Sequence, residues 1–331
     1  GEEEEEDGDE SPGGKGPRID KKKLLMELSK ELRKAKRRIT TWAIVGARVP
    51  LVKVTDNTSG SNQVCCDISM ESELSQHKSK LLRAYVSIDT RFAELLSLVK
   101  AWAKARNIND ATSHTLNSFA YTMLVIQFLQ TRSPPVLPCL HAPSLTHNSV
   151  TQALPPASAN VNGIEIRYHG CDTESGADVS FLHGFGAPNA ATVQELLISF
   201  FRFIADEVNL CKECVSVRDG RVKAADKTVF KHKHSAVMCV EDPFDPTDNV
   251  ARSVTDASAK RLLSEFHRAA QVSSETGDIE AICRQFLSAR EAQQQQKREA
   301  AKAMPLPPQL PPPQMKQPVF APPAAYPQGG Y

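Results

Sequence analysis

Leu24, Leu25, Leu28 and Leu32 recur at helical spacing through "DKKKLLMELSKELRKAKRR", with basic residues between them. That pattern predicts an amphipathic helix, and Asp20 is a suitable N-cap for it. "ARVPLVKV" and "QVCCDISM" are β-rich and flank the loop "TDNTSGSN", which predicts a hairpin-like pair of strands over 48–54 and 63–70. In the second strand Val64, Cys66, Ile68 and Met70 share one face, and Cys65, Asp67 and Ser69 share the other. Asp67 therefore points away from the apolar face, as a ligand-binding carboxylate does and as a solvated one does equally.

From residue 72 the pattern turns helical. "SELSQHKSKLLRAYV" leads into "DTRFAELLSLVKAWAKARNI", where Phe92, Leu95, Leu96, Val99, Trp102 and Ala103 form an apolar stripe. Lys100 and Lys104 lie one turn apart on that helix and project from one side. "SHTLNSFAYTMLVIQFLQ" is apolar nearly all round, the mark of a central buried helix, and the prolines of "TRSPPVLPCL" end it. Residues 142–191 are rich in Ser, Asn, Gly and Pro and read as a long connection with short strands. "TVQELLISFFRFIADEV" is a further amphipathic helix, "CVSVRDG" a strand and turn, and "EDPFDPTDNVARSV" a loop opening into the helix "TDASAKRLLSEFHRAAQVSS". The fold class is α+β.

Charge modifies this picture. Lys and Arg total 40 against 39 Asp and Glu, a formal +1. Eight of those acids lie in "GEEEEEDGDE"; without them 31 acids face 40 bases, a balance of +9 that suits a polyanionic partner. The acidic start and the Gln-, Ala- and Pro-rich end lack the apolar content to offset their ordering entropy and are expected to be disordered. Eight cysteines show no framework spacing, and no signal peptide precedes them. They read as reduced thiols of an intracellular protein; cytoplasm is expected ahead of nucleus, a choice the thiols themselves do not make. The longest apolar run, "YTMLVIQFL", falls short of the ~20 residues of a membrane span.

"ARVPLVKV…CCDIS", "LSLVKAWAKARNI", "TLNSFAYTMLVIQFLQTRSPPVLP", "ELLISFFRFIADEV" and "CVEDPFDPTDNVARSV" follow one another in an order that resembles a single family, collinear over about residues 19–275. It is that of the RNA terminal uridylyltransferases and cytoplasmic-type poly(A) polymerases, within the DNA polymerase β-like nucleotidyltransferases. The resemblance implies a partial nucleotidyltransferase palm with a mixed sheet over 19–88. It implies a larger helical core with the PAP-associated domain over 89–289. A disordered acidic segment (1–18) and a disordered Gln/Pro-rich tail (290–331) complete the expected organisation. The implied reaction adds UMP or AMP from UTP or ATP to an RNA 3′ end, with two Mg²⁺ (or Mn²⁺) ions held by three carboxylates. Asp67 matches the third of these, a catalytic residue and metal ligand. The other two come from an aspartate pair on a strand after a Gly-Ser turn. Asp7-Gly8-Asp9 sits between Glu6 and Glu10 without β-forming neighbours and is not read as that pair. The chain is expected to begin just downstream of the missing strand, which keeps open an inactive fragment or a non-catalytic RNA-binding or scaffold relative.

By the same resemblance Lys100 and Lys104 contact the triphosphate, Ser118 bonds phosphate and Phe119 stacks on the base, where the family has a tyrosine. The alternatives are a solvated basic face for the lysines and core packing for Phe119. Lys78-Ser79 replaces an Asn-Ser/Thr pair at the ribose and phosphate; Ser79 retains a donor, whereas Lys78 offers charge in place of an amide. Asp242 and Asp248 fall in the base-recognition loop, with Asp248 where many uridylyltransferases carry histidine. Either could accept a hydrogen bond from uracil or adenine. Asn249 and Arg252 are expected to hold the loop itself. Outside the resemblance, Cys211 and Cys214 with His232 and His234 offer zinc-type ligands at an unusual spacing. "RKAKRR" reads as an RNA contact, an import signal or a solvated face. "PLPPQLPPPQ" reads as a ligand for a protein that binds Pro-rich tails, or as a spacer.

Overall fold

The computed structural model describes residues 20–35, 38–46, 50–57, 64–70, 73–171, 178–231 and 236–284. The expected disordered termini, Asp7, Asp9, the Pro-rich tail, His232 and His234 lie outside these residues. The elements below all belong to one compact unit that ends at Cys283.

Helix α1 (Lys21–Ala35) begins where the sequence places it: Asp20 Oδ1 accepts from the backbone N–H groups of Lys22 and Lys23 at 3.0 and 3.1 Å. It lies on a meander of three strands, β1 (Ile39–Ile44), β2 (Leu51–Asp56) and β3 (Val64–Ser69), all antiparallel. Leu25, Val52 and Val54 form its small core, with Leu32, Ile39, Ala43, Ile68 and Met70 packed around them. Ile68 and Met70 thus occupy the expected apolar face. Val64, on the same face at the end of the edge strand, is 63% exposed, because α1 packs over β1 and β2.

A second, larger core starts with α2 (Glu73–Ile88), which contributes Leu81, Ala84, Tyr85 and Ile88. Helix α3 (Arg91–Ala105) adds Phe92, Leu95, Val99, Trp102 and Ala103 from the stripe read in the sequence. Helix α4 (Ser118–Gln130) is buried at every position from Ala120 to Leu129. Helices α5 (Val193–Arg202), α6 (Asp256–Thr276) and α7 (Ile279–Cys283) complete the surround. Trp102 sits at its centre, with ring centroids of Phe201 at 4.8 Å, Phe266 at 5.0 Å and Tyr121 at 6.3 Å.

Between α4 and α5 run two hairpins, β4–β5 (Ser144–His147, Val150–Ala153) and β6–β7 (Ala159–Val161, Ile164–Ile166). After α5, strands β8 (Glu213–Ser216), β9 (Arg221–Ala224) and β10 (Cys239–Val240) form a sheet in the order β10-β8-β9, with β10 and β8 parallel. The mixed pairing therefore lies here, and the α1-covered sheet is antiparallel among its described strands. No described helix is long and apolar enough to cross a membrane.

Truncating Trp102 to Ala should cost ~3–5 kcal/mol, as for a large buried aromatic with few ways to collapse the cavity, read as a lower denaturant midpoint. A loss below ~1 kcal/mol would mean that the ring cluster is not the keystone of this core. His141 gives a second test. Burial, then Arg218 and His169, push its imidazole down to about 3 from 6.5, against the opposing influence of Asp219 and the Pro243 carbonyl. The unfolded chain therefore takes up the proton first. Stability is intact above about 6.5 and falls as the pH drops toward 3. His141→Phe should reduce the fall in midpoint between pH ~7 and ~5; an unchanged fall would remove His141 from the pH response.

Candidate functional site

The loop between β10 and α6 is built on its own side chains. Asn249 Oδ1 accepts from the N–H groups of Val240 (3.1 Å) and Ala251 (3.0 Å), and its Nδ2 donates to the Met238 carbonyl (2.8 Å). Arg252 Nη1 donates to Asp248 Oδ1 at 2.7 Å and to the Asn249 carbonyl at 3.2 Å. Both residues thus hold the loop, as the sequence suggested. Asp242 is 1% exposed. Its Oδ1 accepts from the N–H groups of Phe244 (3.0 Å) and Asp245 (3.2 Å), and its Oδ2 is ion-paired with Lys78 of α2.

Asp242, expected from the sequence as a candidate acceptor for a base, has its carboxylate taken up within the protein in this structure. Asp248, half-buried, gives one oxygen to Arg252. The physical reason is the same for both. A carboxylate moved out of water needs donors or a counter-charge, and here the chain provides them.

Helix α4 meets this loop at its N-terminus. Asn117 caps the helix through Oδ1, which accepts from Ala120 N–H at 2.8 Å, while its Nδ2 donates to the Val250 carbonyl at 3.3 Å. Exposed Ser118 exchanges hydrogen bonds with the Asn109 amide at 3.1 and 3.2 Å. Half-buried Phe119 carries the Lys78 ammonium 4.9 Å from its ring centroid. Lys78, Phe119 and Asp242 therefore form one contact group drawn from α2, α4 and the loop.

The remaining candidates stand on their own elements. Ser79 is exposed and donates to the Ser75 carbonyl one turn back, at 3.0 Å. Lys100 is half-buried and Lys104 exposed, on the face of α3 away from its buried stripe. Asp67 is exposed on the uncovered face of the first sheet, in register with Lys53, which is in turn in register with Trp42. Among the described residues no three His, Cys, Asp or Glu side chains gather to hold a metal. Asp67 lies across from a lysine, so the described residues by themselves do not fit a two-metal centre. Of the zinc-type candidates, Cys214 is a buried thiol pushed up to about 12 by burial and then by Glu241, and His232 and His234 lie outside the described residues.

Residues 5–87 match the family described as the central palm domain of mitochondrial-like poly(A) RNA polymerase, and residues 192–248 match the Cid1 family of poly(A) polymerases. The poly(A) RNA polymerase cid13 of Schizosaccharomyces pombe is 30% identical over 241 residues, 72% of this chain and 39% of that protein. The terminal uridylyltransferase cid1 of the same organism is 28% identical over 242 residues, 68% of this chain and 55% of that protein. The chain thus spans only part of the curated relatives it matches. A crystal structure of the Cid1 poly(U) polymerase superposes with a TM-score of 0.62 at 24% identity, covering 80% of this chain and 78% of that one, and shows the same nucleotidyltransferase fold. The matched segments and relatives are those of the terminal uridylyltransferase and poly(A) polymerase family.

Sequence reasoning left the Lys78–Asp242 pair unassigned. Its partners are 164 positions apart, and the only trace in the sequence is a lysine where the family carries an amide. Lys78→Ala should strand a buried carboxylate and cost ~3–5 kcal/mol. Adding Asp242→Asn, which keeps an oxygen for the two backbone donors, should recover part of that loss. A denaturation series in which Lys78→Ala is neutral would show the pair to be idle.

Proposed function

We propose that this chain serves template-independent addition of nucleotides to RNA 3′ ends, drawing UMP or AMP from the triphosphate. The observation that carries the reading is the junction of α4 with the β10–α6 loop. It sets Ser118 and Phe119 at a helix N-terminus, beside a loop fixed by Asn249, Arg252 and Asp242. An N-terminus with a serine and a ring suits a phosphate and a base. Lys100 and Lys104 supply cations one turn apart for the triphosphate. Asp67 supplies a carboxylate to the reacting centre. Related proteins support the substrate class: Cid1 has been solved with the UTP analogue UMPNPP, with its short product ApU and with Mg 3′-dATP. A divalent cation is part of this reading; the described residues alone do not form its site, and Asp67 is the carboxylate they would contribute to one.

A second reading, a non-catalytic RNA-binding relative, is favoured by one observation: among the described residues no group of three or more His, Cys, Asp or Glu side chains gathers at Asp67 to hold a metal. The full-length protein, given a labelled RNA oligonucleotide, a divalent ion and UTP or ATP, separates the two. The first reading expects tailing, and Asp67→Asn should lower its rate by on the order of 10²-fold or more, the scale of a lost catalytic group. Normal tailing by Asp67→Asn would remove that residue from the chemistry. RNA binding without tailing by any nucleotide would favour the second reading. Competition between UTP and ATP assigns the nucleotide.

A further inference from the structure

A cavity of about 600 Å³ opens between the β6–β7 hairpin and the outer side of the loop 243–247. Its lining holds none of the residues expected to touch the nucleotide: neither Asp67, the lysines of α2 and α3, Ser118, Phe119, Asp242 nor Asp248 reaches it. Its size is within the ~300–1,000 Å³ of small-ligand sites.

Two guanidiniums in its wall are set in place by backbone carbonyls. Arg167 donates from Nε to the Pro155 carbonyl at 2.6 Å and from Nη2 to the Leu154 carbonyl at 3.2 Å. Arg218 donates from Nη1 to the carbonyls of Pro243 (3.3 Å) and Phe244 (3.2 Å). Carbonyls orient a guanidinium without neutralising it, which leaves Nη1 of Arg167 and Nε and Nη2 of Arg218 for a ligand. Lys231 is cancelled by Asp245 at 2.5 Å, and Glu165 is the other acid in the lining, so two arginines face one carboxylate.

His141 adds a second, independent signal. Both of its ring nitrogens are buried, and among the described residues the one group beside them that can partner the imidazole is the Pro243 carbonyl. A neutral imidazole brings one donor and one acceptor; a carbonyl can meet only the donor, and leaving the acceptor unmet is costly. A ligand that satisfied the arginines and the imidazole would carry an anionic group matched to a planar fork, next to a polar group that can donate. A phosphate attached to a nucleoside has this chemistry.

We propose that this cavity is a second phosphate-binding site, taking one nucleotide unit, either from an RNA strand or as a free mononucleotide. Arg218 holds the carbonyls of Pro243 and Phe244, and Asp242 caps the Phe244 N–H, so an occupant would lean on the same loop that borders the candidate site.

The test uses full-length protein and the variants Arg167→Ala, Arg167→Lys and Arg167→Glu, each checked for an unchanged melting temperature. Binding of a fluorescein-labelled oligouridylate is followed by anisotropy between ~50 and ~200 mM salt, and log affinity is plotted against log salt, where each phosphate contact contributes a slope of about −0.7 for single strands. If RNA fills the cavity, Arg167→Ala should make that slope shallower by about 0.7, and Arg167→Lys should restore it in part. If a free nucleotide fills it, UMP stoichiometry by calorimetry should fall from two sites to one in Arg167→Ala while the RNA slope stays as in the parent. Folded Arg167→Ala and Arg167→Glu proteins with parental RNA slope and parental UMP stoichiometry would overturn the proposal. Failure of the parent protein to tail RNA would count against the proposed function and would leave these isotherms untouched.

Discussion

Helix α4 has no polar face to offer water. Buried from Ala120 to Leu129, it must be surrounded, and the larger core is arranged to surround it. Trp102 from α3, Phe201 from α5 and Phe266 from α6 meet at one point beside Tyr121 of α4. A helix enclosed in this way reaches solvent only at its ends. Its N-terminal end is capped by Asn117, and the same side chain reaches the Val250 carbonyl. One apolar segment thus fixes where Ser118 and Phe119 emerge and which loop they emerge against. The candidate site is a consequence of how the core is filled.

Elements governed by a single strong local signal were legible in the sequence. The stripe Phe92, Leu95, Val99, Trp102 goes inward as spaced, Asp20 caps α1, and the two strands around "TDNTSGSN" pair antiparallel. Asn249 was legible as a structural residue, because an amide can accept and donate at once and a loop leaving a strand needs both. Strand β1 escaped notice for a physical reason. Its inward positions are Ile39, Thr41 and Ala43, a weakly apolar set in which Thr41 bonds Ser29. Its bulkier apolar residues face out, with Trp42 73% and Ile44 37% exposed. The alternation is present with its usual polarity nearly reversed, so a search for a buried apolar face passes over it.

The polar part of the site was less legible, since no local rule connects α2 with a loop 164 residues later. Asp242 could be located in the recognition loop by resemblance, but not its state. A carboxylate in such a loop is consistent with a free acceptor or with a structural cap. Burial to 1% and two backbone donors decide for the cap.

Lys78 follows from that burial. Two backbone N–H groups satisfy one oxygen of Asp242, and the charge on the other still requires compensation in a site removed from water. Where the family pattern has an amide at this position, the side chain can donate a hydrogen bond but brings no charge. A lysine brings both, and its ammonium also covers one face of Phe119. The loop is therefore joined to α2 and α4 before any ligand arrives. Such preorganisation lowers the ordering cost of binding. It also changes what a base would meet. In place of a free carboxylate beside a bare ring, it finds an ammonium donor already committed to an acid. On the proposed reading, base selection would then rest less on Asp242 than on whatever displaces, or accommodates itself to, Lys78.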